Sequence, residues 1–144
     1  IHAVFGQSGG ADIDLATFVA QGHGHSIIGQ PGAAWDTDLA VLDDLNGDGL
    51  AEMLVQEDNL IHLVFGRSTP GNVLLTDVAD GFGGLSIETP FAGGTIALDG
   101  VADMDGDGLP EILVAGATRN PAGDSQSAYV LFGQAAWAAD PVVL

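Results

Sequence analysis

The sequence has no cysteine and no lysine, and its only fixed cations are two arginines. Without cysteine, neither a disulfide framework nor a thiolate metal site can hold the fold, so any staple has to use oxygen ligands. Against the two arginines stand 20 aspartates and glutamates, giving a formal charge of −18 over 144 residues. A nucleic-acid binder needs clustered cations to displace counterions from phosphate, and an anionic membrane surface attracts the same cations, so both partners are excluded as expectations. No apolar run approaches the roughly 20 residues of a membrane span, and no basic segment followed by an apolar stretch opens the chain. Ile1 falls inside a strand-like run with no initiating methionine, which reads as a mature fragment or an excised piece.

What remains is foldable and repetitive. The chain is 47% hydrophobic, enough apolar area for a packed core, and its 22 glycines are about twice the usual share. Glycine excess without low complexity implies many tight turns and a β-rich chain. The segment His2-Ala3-Val4-Phe5-Gly6-Gln7-Ser8 returns as His62-Leu63-Val64-Phe65-Gly66-Arg67-Ser68, and more weakly as Tyr129-Val130-Leu131-Phe132-Gly133-Gln134. Asp44-Leu45-Asn46-Gly47-Asp48-Gly49-Leu50 recurs 59 residues later as Asp103-Met104-Asp105-Gly106-Asp107-Gly108-Leu109. Short β-branched runs bounded by Gly, Asn or Asp predict strands over 2–5, 25–28, 38–42, 52–56, 60–65, 85–88, 95–101, 111–115 and 127–132, with no helix. About four strands per 60 residues matches one antiparallel sheet per repeat, as in a propeller blade. The expected fold is therefore all-β, with about two four-stranded antiparallel blades. Residues 1–66 form the first unit, 67–133 the second and 134–144 the start of a third.

The chemistry concentrates in two acidic loops, 44–52 and 103–111. Oxygen-bearing side chains at loop positions 1, 3 and 5, with Gly between them, can wrap a hard cation, and calcium takes six to eight oxygens at ~2.3 to 2.6 Å. The candidate ligands are Asp44, Asn46, Asp48, the carbonyl of Leu50 and Glu52 in the first loop, and Asp103, Asp105, Asp107, the carbonyl of Leu109 and Glu111 in the second. An EF-hand loop begins alike but requires a bidentate Glu at position 12, where these loops carry Val55 and Val114. Their last acid is at position 9, and a short apolar strand follows.

With these residues in view the chain resembles the FG-GAP repeat family, found in the propeller of integrin α subunits and in many bacterial extracellular proteins. Phe5-Gly6, Phe65-Gly66 and Phe132-Gly133 match one half of the name, Gly116-Ala117 begins the other, and both acidic loops fit the family's calcium loop. Three features depart from it: Thr118 stands where Pro is expected, Gln56-Glu57-Asp58 replaces Gly-Ala-Pro, and position 9 is Glu instead of Asp. The resemblance implies a non-enzymatic, calcium-stabilised module of a secreted or cell-surface protein that serves adhesion or recognition of a protein or glycan. Two blades cannot close a ring, so neighbouring blades of a longer chain or a homo-oligomer would supply the rest. Two other readings are a purely structural or self-assembling repeat and the accessory domain of a secreted hydrolase.

Other residues carry weaker signals. His2 and His62 share a repeat position and read as blade-surface residues. His23 and His25, one residue apart, form half of a transition-metal site at most and read as loop or strand. Trp35 reads as core, and Trp137 as an exposed aromatic after the third Phe-Gly. The polar stretch 120–127 reads as an enlarged hairpin, and Asp12, Asp14, Asp36, Asp38, Asp77, Asp80 and Asp140 as a solvated acidic surface. No nucleophile elbow and no phosphate loop is present.

Overall fold

The computed structural model describes residues 1–10, 12–33, 38–91, 96–118, 123, 125–137 and 142–144. In chain order the elements are β1 (His2–Val4), β2 (Gly24–Ile28), β3 (Leu39–Leu42), β4 (Glu52–Glu57), β5 (Leu60–Val64), β6 (Gly71–Leu74), α1 (Leu75–Ala79), β7 (Gly84–Glu88), β8 (Ile96–Val101), β9 (Glu111–Thr118), β10 (Ser125–Leu131) and β11 (Val142–Val143). The chain is all-β apart from about 4% helix. Every strand foreseen from the apolar runs is present, within a few residues at its ends. Trp35, Asp36, Asp140, Thr95 and the tip of the 120–127 hairpin lie outside the described residues.

The strands form three sheets: β1–β2–β6, β11–β7–β5–β4–β3 and β10–β9–β8. None closes on itself. Neighbours pair antiparallel except at two edges, where β6 lies parallel to β2 and β11 parallel to β7. Two four-stranded sheets are thus replaced by one of five strands between two of three. Hydrogen bonding, not the phase of the sequence repeat, groups the strands, so the central sheet draws β3, β4 and β5 from the first unit and β7 from the second.

Alternation along β4 and β5 splits their side chains between two cores, because successive residues point to opposite faces. Leu54, Ile61 and Leu63 enter a cluster with Leu42, Leu45, Leu85 and Ile87 of the same sheet region and with Ile96, Ile112 and Val114 of the third sheet. Val55 and Val64 enter a second cluster with Ile27 and Val73 of the first sheet and Leu75 and Val78 of α1. With both faces covered, these strands read as continuous apolar runs.

The helix is a departure from expectation. Its only buried residues are Leu75 and Val78, one turn apart, which is too short a pattern to register as amphipathic periodicity. It forms because those two side chains close the second core, and Gly81, at φ +85°, ends it. The first unit echoes it: Gln21 N–H donates to the carbonyl of Thr17 at 3.1 Å, and Phe18 is buried at the position of Val78.

Three side-chain expectations need correction. His62 is not on a surface; it is fully buried, with Nδ1 2.9 Å from Ser86 Oγ and Nε2 3.5 Å from Glu57 Oε2. Cross-strand register puts Ser86 opposite His62, so a repeat position that is exposed in β1 becomes interior in the five-stranded sheet. Trp137 is half-buried against the first core, not an exposed aromatic. Asp38 is not merely solvated acid, since its Oδ2 accepts the Leu98 N–H at 3.2 Å and so ties the segment before β3 to β8.

Candidate metal centre

Each acidic loop connects two antiparallel strands, β3 to β4 and β8 to β9, and turns back on itself at two glycines with positive φ. Gly47 and Gly49 lie at +78° and +86°, Gly106 and Gly108 at +87° and +93°. Only a residue without Cβ adopts that conformation cheaply, and it lets each loop curl back on its first aspartate.

The two loops are built alike. Gly49 N–H donates to Asp44 Oδ2 at 2.7 Å, and Gly108 N–H to Asp103 Oδ2 at 2.9 Å. Leu50 and Leu109 donate their N–H groups to Asp48 and Asp107 Oδ1, each at 2.8 Å. Leu45 donates to Glu52 Oε2 at 2.5 Å, and Met104 to Glu111 Oε2 at 2.8 Å. These bonds fix the loops in the curved form that six to eight oxygen ligands require.

Side-chain oxygens of Asp44, Asp48 and Glu52 lie within 4.8 Å of one another, as do those of Asp103, Asp105 and Glu111. The loops differ at the third and fifth positions. In the first, Asp48 joins the cluster, while Asn46 Oδ1 accepts the Asp48 N–H at 2.9 Å. In the second, Asp105 joins it, and Asp107 stays outside, engaged with Leu109. Leu50 and Leu109, foreseen as carbonyl ligands, stand two residues after Asp48 and Asp107, each across a glycine.

The glutamates at position 9 distinguish these clusters from ordinary acidic turns. Glu52 is 1% exposed and Glu111 0%, whereas the aspartates are mostly at the surface. Burial pushes the Glu52 carboxyl above its ordinary value, and the charges of Asp48 and Asp44 push it further, against the lowering from the Leu45 and Gly66 N–H donors. Glu111 Oε1 is buried with no hydrogen-bond partner among the described residues. A buried carboxylate oxygen left unpaired is costly, and a divalent cation among the same carboxylates removes both the orphan and the repulsion. The donor set is all oxygen, which suits a hard cation.

The model of the FG-GAP-like repeat family matches residues 44–114. The chain carries an FG-GAP-like repeat. That match opens at Asp44, the first acid of one loop, and runs through the whole of the other. No curated protein and no solved structure matches the chain.

Within the FG-GAP-like segment the departures from the family pattern have structural places. Glu57, which matches Gly116 at the loops' offset of 59, accepts the Gln30 N–H at 2.9 Å and faces His62. Its counterpart, Gly116, leaves room for Phe91, whose ring lies within 3 Å of where a Cβ would stand. Beyond the loops, His23 and His25 do not converge. His23 Nδ1 lies 2.6 Å from Gln7 Nε2, and His25 Nε2 3.0 Å from the carbonyl oxygen of Arg67. The buried group of Glu57, His62 and Ser86 had no sequence signal, because its members belong to three strands and only the register joins them. No helix of the described residues is long and apolar enough to cross a membrane.

Proposed function

We propose that this chain is a calcium-binding β-propeller module of an extracellular adhesion or recognition protein, in which calcium is structural. Two ions bind, one per loop. The first is held by Asp44, Asn46, Asp48, the Leu50 carbonyl and Glu52, the second by Asp103, Asp105, Asp107, the Leu109 carbonyl and Glu111. The observation that carries this reading is the buried, unpartnered oxygen of Glu111 beside Asp103 and Asp105. An FG-GAP-like repeat is typical of extracellular, non-enzymatic modules, which supports the setting and the structural role. The ligand of the module is a protein or a glycan.

Because each loop joins adjacent strands and seats its glutamate inside, an ion there cross-links the sheet. Ligand binding to the native state alone contributes RT ln(1 + [L]/Kd), about 4 kcal/mol at a thousandfold excess. Removing calcium with EDTA should lower the melting temperature by about ten degrees, and readdition should restore it. Calorimetry should count two sites. An unchanged melt after chelation would overturn the reading.

A further inference from the structure

The acidic loops sit side by side because the strands that lead into them pack together. Leu42, the last residue of β3, sets its Cδ2 in the space that a Cβ on Gly100 of β8 would need, so the two strands approach at a point where β8 has no side chain. The Asp38–Leu98 bond ties the same pair of strands further back along the chain. Leu42 stands two residues before Asp44, and Gly100 three before Asp103, so this contact leads straight into both loops.

The loops then touch each other. Leu109, whose carbonyl is a proposed ligand of the second ion, places its Cδ2 3.9 Å from where Gly47 of the first loop would carry a Cβ. Leu45 of the first loop is 0% exposed, and its Cδ1 lies 3.4 Å from where Gly133 would carry one. Leu109 Cβ and the Pro110 carbonyl oxygen stand 2.7 and 2.5 Å from that same point, so Gly133 is a shared seat for both loops. These contacts require curled loops: Leu45 is held by its N–H bond to Glu52 Oε2, and Leu109 by its N–H bond to Asp107 Oδ1.

We propose that the two calcium ions bind cooperatively, an ion in one loop raising the affinity of the other through Leu45, Gly47, Leu109 and Gly133. The proposal rests on the reading of both loops as calcium sites. In an empty loop the clustered carboxylates, within 4.8 Å of one another, repel and favour an opened form. An ion closes the loop, and the closed loop presents a packed wall to its neighbour. Whichever ion binds first therefore meets the larger ordering cost, and the second meets less of it. Charge alone acts in the opposite direction, because two dications repel. The sign of the coupling thus separates packing from electrostatics.

Calcium titration of the intact, isotope-labelled chain followed by NMR reads the sites separately, because the Gly49 and Gly108 amides donate to Asp44 and Asp103 and so report one loop each. Asp103→Asn, which weakens the second site, should move the midpoint of the Gly49 curve to about tenfold higher calcium. The emptied loop keeps three acids and no dication, so it is more negative than the loaded one with four acids, and by charge alone the first site would tighten. Leu109→Ala, which keeps the carbonyl and removes the side chain lying over Gly47, should move the Gly49 midpoint by a similar factor, and the double variant should move it no further. Leu109 is half-buried, and the amide spectrum shows directly whether that variant stays folded. Asp103→Asn decides the proposal by itself, since it leaves these packing side chains in place. A Gly49 curve unmoved by Asp103→Asn, or moved by the double variant as far as the two single shifts added, would overturn the coupling while two calcium sites stand. If neither glycine responds to calcium, the calcium reading falls and the coupling with it.

Discussion

His62 shows how far a residue's chemistry departs from its sequence context. Two imidazoles at the same repeat position differ in fate: His2 is exposed and bonded to Ser26, while His62 has no exposed surface. Burial lowers the His62 pKa below its usual 6.5, although the charge and hydrogen bond of Glu57 pull it the other way. The folded state therefore takes up this proton less readily than the unfolded chain, so stability is fully present above 6.5 and falls as pH drops below it. The slope approaches about 1.4 kcal/mol per pH unit once the unfolded histidine is charged and the folded one is not. His62→Gln, which retains a partner for Ser86, should flatten that part of the profile. Urea unfolding in the two proteins from neutral to mildly acidic pH measures it.

The acidic loop was legible as an element because its spacing is local: acids at alternate positions and glycines between them lie within nine residues. Which carboxylates converge is a finer matter. By sequence the second loop carries four acids and the first three, with Asn46 in place of the fourth; in space each brings together three, and Asp107 stands apart. Since calcium affinity rises with ligand charge, the second loop should bind more tightly, with Asp105 in place of Asn46 as the difference between the two proposed ligand sets. Asp105→Asn should weaken the second site by about tenfold or more, and Asn46→Asp should strengthen the first. Calorimetric titration of both variants against the parent separates the two sites. The helix was not legible at this scale, because Leu75 and Val78 are recognisable as helical only through the core they close.

At the scale of the whole molecule, the loops serve as joints between sheets as well as ion sites. Leu45 on the first loop reaches the core shared with the third sheet, whereas Met104 on the second reaches solvent. Leu45→Ala should cost about 2–5 kcal/mol by leaving a cavity. Met104→Ala in dilute solution should change stability by no more than about 0.5 kcal/mol. Thermal melts in calcium at low protein concentration compare the two directly. Equal losses would show that the sheets do not use Leu45 as their joint.

The sequence by itself determined the all-β class, the repeat, nine of the eleven described strands and the two acidic loops, since these are written in short-range patterns: period-two apolar runs, turn glycines, acids at fixed spacing; the parallel edge strands β6 and β11 were not foreseen. The tertiary structure decided what depends on which strands are neighbours. It divided the eleven strands of the described residues into sheets of three, five and three, laid β6 and β11 parallel at their edges, and turned His62 inward beside Glu57 and Ser86. It also buried Glu52 and Glu111 while leaving the aspartates of the same loops at the surface. Strand pairing joins residues tens of positions apart, and a pattern that repeats along the chain is equally compatible with several pairings. Only packing against real neighbours chooses among them.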